Sequence, residues 1–225
     1  MRQGSVVRTR FAVAWAVALV GLVAAVGAAT AIAGGGNSAN AQACQQGGWA
    51  NLVRADGTAF DNAGDCTSYG AQGGNLFALY HFTADLSPAN ENPPTASQGT
   101  GSSAVTWNTA TSQMTVHIEF SGLTSGTTAS HIHCCAVPPT NAMVATTTPR
   151  FVGFPTGVTS GTYDHTLDMN DAGSYNPAFI TAHGATIATA KDALLTGMLA
   201  GQSYLNVHTM MFGGGEIRGT LQLAT

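Results

Sequence analysis

Charge is scarce in this chain of 225 residues: 8% of it is Asp, Glu, Lys or Arg, against 44% hydrophobic residues. That balance is too apolar for a disordered segment and poorer in charge than an average cytosolic surface, so Thr, Ser, Asn and Gln must cover the outside. Basic residues are scarcest, seven Lys and Arg against eleven Asp and Glu, and they form no stripe. The chain has no Gly-rich phosphate loop followed by Lys and no G-x-S-x-G elbow, so nucleotide-binding and hydrolase classes have no support. Paired carboxylates for glycoside cleavage are not apparent, and no Ser or Cys nucleophile has an obvious base. Cysteine is sparse at four.

What is present begins with a leader. Arg2, Arg8 and Arg10 precede an apolar run from Phe11 to Ala33, and a small-residue stretch follows, ending Ala39-Asn40-Ala41-Gln42-Ala43. This is the layout of a secretory signal peptide over residues 1–43, with an A-x-A cut after Ala43 that leaves Cys44 first. The run of 23 residues is also long enough to span a bilayer, which leaves an uncleaved anchor as the competing reading. A lipoprotein signal is disfavoured by Gln42, where such signals want a small or aliphatic residue, and the twin-arginine route by the lack of adjacent arginines. Cleavage removes three basic and no acidic residues; four basic against eleven acidic leaves −7. That sign repels nucleic acid and anionic lipid. A secreted or cell-envelope location is expected, with no membrane contact beyond the signal segment, and four cysteines in an exported chain favour disulfides.

A small module spans residues 44–74, rich in the turn formers Gly, Asn and Asp and too short for a core without a staple. A Cys44–Cys66 disulfide would supply it, worth about 3 kcal/mol in the chain-entropy picture. From Leu76 the text becomes strand-like. Met114, Val116, Ile118 and Phe120 alternate with Thr115, His117, Glu119 and Ser121, as in a half-buried antiparallel strand with His117 at the surface. Similar strands are expected at residues 76–86, 101–107, 161–169, 202–210 and 216–223, so the main domain, 75–225, reads as all-β, a sandwich or barrel. One stretch departs from this. Phe179, Ile180, His183, Ile187, Ala190, Leu194 and Met198 recur at helical spacing, with Ser174 or Asn176 as cap and Gly201 as stop. They predict one or two helices inserted near residues 177–200.

The densest chemistry lies in Ser130-His131-Ile132-His133-Cys134-Cys135 and Tyr204-Leu205-Asn206-Val207-His208-Thr209. Strand parity puts His131 and His133 on one face, and likewise Tyr204, Asn206 and His208. If the two strands are neighbours, three imidazoles converge as a ligand set suited to Zn or Cu, with Glu216 or Cys134 and Cys135 as nearby candidates. The alternative is a polar clamp, each ring bonded to backbone, Asn206 or Glu216 without any metal. Cys134 and Cys135 can close a vicinal disulfide, serve as thiolates at a soft-metal site, or pair with Cys44 and Cys66; an oxidising compartment favours the vicinal bond. Glu216 and Arg218, after Gly213-Gly214-Gly215, are expected on one strand face as an ion pair. His81, His165 and His183 are scattered and are assigned no role.

Leu86-Ser-Pro-Ala-Asn-Glu91-Asn-Pro93-Pro94, Ser130-His131-Ile132-His133, Tyr204-Leu-Asn206-Val-His208-Thr209 and Gly215-Glu216-Ile217-Arg218-Gly219 together resemble the chordin-type domain, CHRD, over nearly all of residues 75–225. The resemblance implies an immunoglobulin-like or superoxide-dismutase-like β-sandwich of the kind found in extracellular proteins. Cys134-Cys135 and the helical insertion depart from the family's common pattern. Two functions fit: a non-enzymatic extracellular module binding a protein or glycan, or a copper or zinc protein, with dismutase-like chemistry as an extension of the second. Function does not follow from fold, so the site itself must decide.

Overall fold

The computed structural model describes residues 37–224. The expected signal segment therefore falls outside the described residues up to residue 36; among those described, no helix is long and apolar enough to cross a membrane.

Two antiparallel sheets face each other. The larger follows the order β1 (Leu52–Val53), β2 (Phe77–Leu86), β3 (Thr100–Asn108), β4 (Gln113–Ser121) and β7 (Gly161–Asp168). The smaller has the order β6 (Met143–Val144), β5 (Thr127–Cys134), β8 (Ser203–Thr209) and β9 (Ile217–Thr220). The last short strand, β10 (Gln222–Leu223), returns to the larger sheet beside β2. This is the expected all-β, sandwich-like architecture, and it does not close into a barrel.

Alternation explains the larger sheet. On β4, Met114, Val116, Ile118 and Phe120 are buried while Gln113, Thr115 and Glu119 are exposed, so one face meets the core at about 1.5–3 kcal/mol per large apolar side chain. Phe82 and Trp107 extend that face, and Ile132, Leu205 and Val207 oppose it from the smaller sheet. The smaller sheet behaves differently: all seven residues of β8 are buried. Its second face is therefore covered too, by the chain segments around residues 88–95 and 137–150, and that covered face carries the histidines.

Two helices interrupt the strands where the sequence predicts them. In α3 (Pro177–Ala182) Asn176 Oδ1 caps by accepting the Ala178 N–H at 3.0 Å; in α4 (Ile187–Leu199) Thr186 Oγ1 accepts from the Thr189 N–H at 3.1 Å. Gly201, at φ +65°, ends the run. Phe179, Leu194 and Met198 insert into the main core, and α4 lies against β5, β8 and β10.

The small N-terminal module has its own cluster of Cys44, Leu52, Phe60, Cys66 and Leu76, with Cys44 bonded to Cys66. Its Asn and Asp do more than turn the chain. Asn62 Oδ1 accepts the Asp65 N–H at 3.0 Å and starts α2 (Ala63–Ala71), a helix that the turn-rich composition hides. A further helix, α1 (Asn37–Ala43), packs on α2, so the folded module begins before Cys44.

Candidate metal centre

Strand pairing builds the site. β5 and β8 are antiparallel neighbours, with His131 opposite Asn206, His133 opposite Tyr204 and Ala129 opposite His208. Opposed residues share a face, so His131, His133, Tyr204, Asn206 and His208 all project away from the main core, while Ile132, Leu205 and Val207 project into it. The three rings are 6%, 8% and 9% exposed, and their candidate ligand nitrogens all lie within 4.8 Å of one another.

Hydrogen bonding sets which nitrogens are free. His131 Nε2 lies 2.8 Å from Pro149 O, His133 Nδ1 2.9 Å from Ala142 O, and His208 Nδ1 3.0 Å from Gly213 O. A carbonyl can only accept, so each of these nitrogens carries the proton, and a neutral ring then keeps a bare lone pair on the other one. The lone pairs belong to His131 Nδ1, His133 Nε2 and His208 Nε2. His131 Nδ1 and His208 Nε2 are 3.3 Å apart with no proton between them in these tautomers. His133 Nε2 is buried without a partner. Two nitrogens on one tetrahedral ion at roughly 2.0–2.1 Å each stand about 3.3–3.4 Å apart, so that spacing suits a shared metal. Backbone carbonyls behind the far nitrogens are the usual orienting partners of metal-binding imidazoles.

Electrostatics agrees. Burial pushes His131 and His133 down to about 4, against the smaller opposing effect of their carbonyl bonds, and burial also lowers His208. All three rings are neutral at neutral pH, the form a metal needs. Tyr204 stacks on His133 with centroids 4.6 Å apart and planes 9° from parallel, and the Arg218 guanidinium lies 4.4 Å over the other ring of that stack, Tyr204.

Two expectations about Glu216 need correction, and of the readings open to Cys134 and Cys135 the vicinal disulfide holds. Glu216 is not at the histidines: Oε1 accepts from Ser97 Oγ and from the Thr124 N–H, each at 2.6 Å, and Oε2 from Thr209 Oγ1 at 2.5 Å. These donors outweigh burial and hold its carboxyl below the ordinary range. Nor does it pair with Arg218. It precedes the first residue of β9, beside Gly215 at φ +127°, so strand parity does not extend to it. Arg218 instead donates from Nε to Asn90 O, from Nη1 to Asn141 Oδ1 at 2.7 Å and from Nη2 to Pro139 O at 2.7 Å, with Glu91 Oε2 at 3.8 Å. Cys134 and Cys135 are bonded to each other and abut Gly197 of α4; as Cys134 alternates with His133, its sulfur faces the core, and neither cysteine offers a thiolate.

Sequence reasoning missed Glu91 and the carbonyls of Ala142, Pro149 and Gly213. Glu91 is 6% exposed, its Oε1 has no partner, and burial raises it to about 7 although Arg218 opposes the shift. Its only sequence signal is the N-E-N-P-P stretch. Asn206, beside His133, also keeps a buried, unpartnered Oδ1. His117 lies on the far sheet, half exposed, bonded to Asp164 Oδ1 at 2.7 Å, which is the main reason its ring is held above the ordinary range.

No curated protein and no solved structure matches the chain. The family model of the CHRD domain matches residues 82–221, which contain Glu91, Glu216 and the three clustered histidines. A match over more than half of the sequence, carried by most of both sheets, makes this chain a member of the CHRD-domain family, an extracellular type of domain.

Proposed function

We propose that the chain is an exported, non-enzymatic CHRD module whose domain holds one copper or zinc ion through His131 Nδ1, His133 Nε2 and His208 Nε2. One observation carries this reading: three neutral rings spend their only N–H on backbone carbonyls, and their candidate ligand nitrogens gather within 4.8 Å of one another. Lone pairs gathered in a buried space repel, and a cation that accepts them removes that repulsion. A bound ion ties β5 and β8 to the segments carrying Ala142, Pro149 and Gly213, so its role is to hold an extracellular binding surface in shape. The partner is an extracellular protein or glycan, with nucleic acid disfavoured by the acidic chain.

A second reading keeps the same bonds and dispenses with the ion. The rings are then anchors that pin loops to the sheet, and the bonds to Pro149, Ala142 and Gly213 favour it. Elemental analysis of protein secreted by its own host, never exposed to chelator, separates the two. One copper or zinc per chain, lost in a folded His208→Ala variant, supports the site. Metal-free folded protein supports the anchor.

A further inference from the structure

We infer that the leader is cut after Ala33 and not after Ala43, so that the mature chain begins at Gly34 and keeps α1. The inference is independent of whether a metal is bound. Residues Asn37–Ala43 are a built part of the N-terminal module. Asn40 is 6% exposed and its Nδ2 donates to Gly74 O at 3.0 Å, across 34 residues. Where α1 crosses α2 the neighbour is Gly70, and a Cβ there would fall 2.9 Å from the Asn40 carbonyl carbon and 3.0 Å from Ala41 N. Only a glycine lets the two backbones meet so closely. Ala43 packs on the module's apolar cluster, and Cys44, immediately after α1, is bonded to Cys66 inside α2. The disulfide thus fastens the end of one helix to the other. A cut after Ala43 would strip α1 away, uncover Gly70 and leave the staple at a free end.

A second small-residue site lies upstream, Ala31-Ile32-Ala33, at the end of the apolar run from Phe11. Basic start, apolar run, then A-x-A is the order a signal peptidase reads, and the later Ala41-Gln42-Ala43 stands ten residues farther on. The step is a hydrolysis. Water adds across the Ala33–Gly34 amide, the C–N bond breaks, and a carboxyl is left on Ala33 and an amine on Gly34. With Cys44 Sγ committed to Cys66, no thiol is left there for a lipid.

The test is N-terminal sequencing and intact mass of the protein recovered after export from cells expressing the full chain, as wild type and as Ala33→Tyr. Wild type is expected to start at Gly34, and Ala33→Tyr to lose that start. A wild-type start at Cys44, or an uncut Met1, overturns the inference. The structural half is tested separately by comparing oxidised protein starting at Gly34 with protein starting at Cys44. The longer form is expected to melt roughly 5 °C or more higher, and equal melting would overturn the claim that α1 belongs to the fold.

Discussion

Acid should weaken the metal-free protein well above the pH at which an ordinary, exposed carboxylate protonates. Unfolded, a histidine titrates near 6.5; folded, His131 and His133 titrate at about 4, chiefly because they are buried. Between those values the unfolded chain takes up protons that the native rings refuse, so stability falls as pH drops from 6.5 towards 4. A gap of this size is worth roughly 3 kcal/mol per ring, and His208 adds to it in the same direction. Glu91 works against this. Its folded value of about 7 lies above the ordinary 4.5, so the native state takes up the proton first and regains roughly 3 kcal/mol over the same window. His117, raised by Asp164, also gains in acid, by little because it is half exposed. The net loss is of the order of one ring, about 3 kcal/mol, a large part of a typical 5–15 kcal/mol total. Urea unfolding followed by the fluorescence of the buried Trp107, from pH 7 to 4.5 in chelator, measures it. His133→Gln should flatten the profile, and Glu91→Gln should steepen it by removing the offset. A flat profile in the wild type, or one that neither substitution changes, would refute the assignment of neutral, buried rings.

Because the rings are already neutral, zinc added to metal-free protein at pH 7 should bind with release of less than one proton, read by calorimetry in buffers of different ionisation enthalpy. Glu216→Gln should cost roughly 1.5–3 kcal/mol by mismatching three donors, while leaving metal content unchanged; loss of metal would make Glu216 a ligand after all. At Gly197 a Cβ would fall 2.3 Å from Cys134 Sγ, so Gly197→Ala should lower stability by about 1–3 kcal/mol in the oxidised protein, measured by urea midpoint. His208→Ala should abolish stoichiometric metal binding with the near-ultraviolet circular dichroism of the fold retained, and retained metal would exclude His208 as a ligand.

Local rules carried the reading wherever a residue's neighbours in sequence are also its neighbours in space. The period of two along β4 and the caps of α3 and α4 are of that kind. So is the convergence of His131, His133 and His208, which needs only strand parity and one pairing. The failures share a cause as well. Parity was carried one residue before the start of β9, up to the turn at Gly215, and this put Glu216 on the wrong side. Arg218 found Glu91 and Asn90, more than 120 residues away, in place of the carboxylate two positions before it. The carbonyls that fix the histidine tautomers come from loops whose backbone positions no side-chain pattern reports.

The stretch that follows β8 has a temporal meaning. It was expected as one strand, yet Leu221, fully buried, divides it: β9 joins β8 on one sheet and β10 joins β2 on the other. The two sheets are thus buttoned together by residues that follow every other strand of the domain. His208 also arrives late, 75 residues after His133. Until the ribosome has released this segment, neither the sandwich nor the histidine cluster can close, because their completing contacts join distant parts of the chain. A domain that locks only with its last strands stays threadable through a narrow channel until those strands are made, and deleting β9 and β10 should unmake it as a unit.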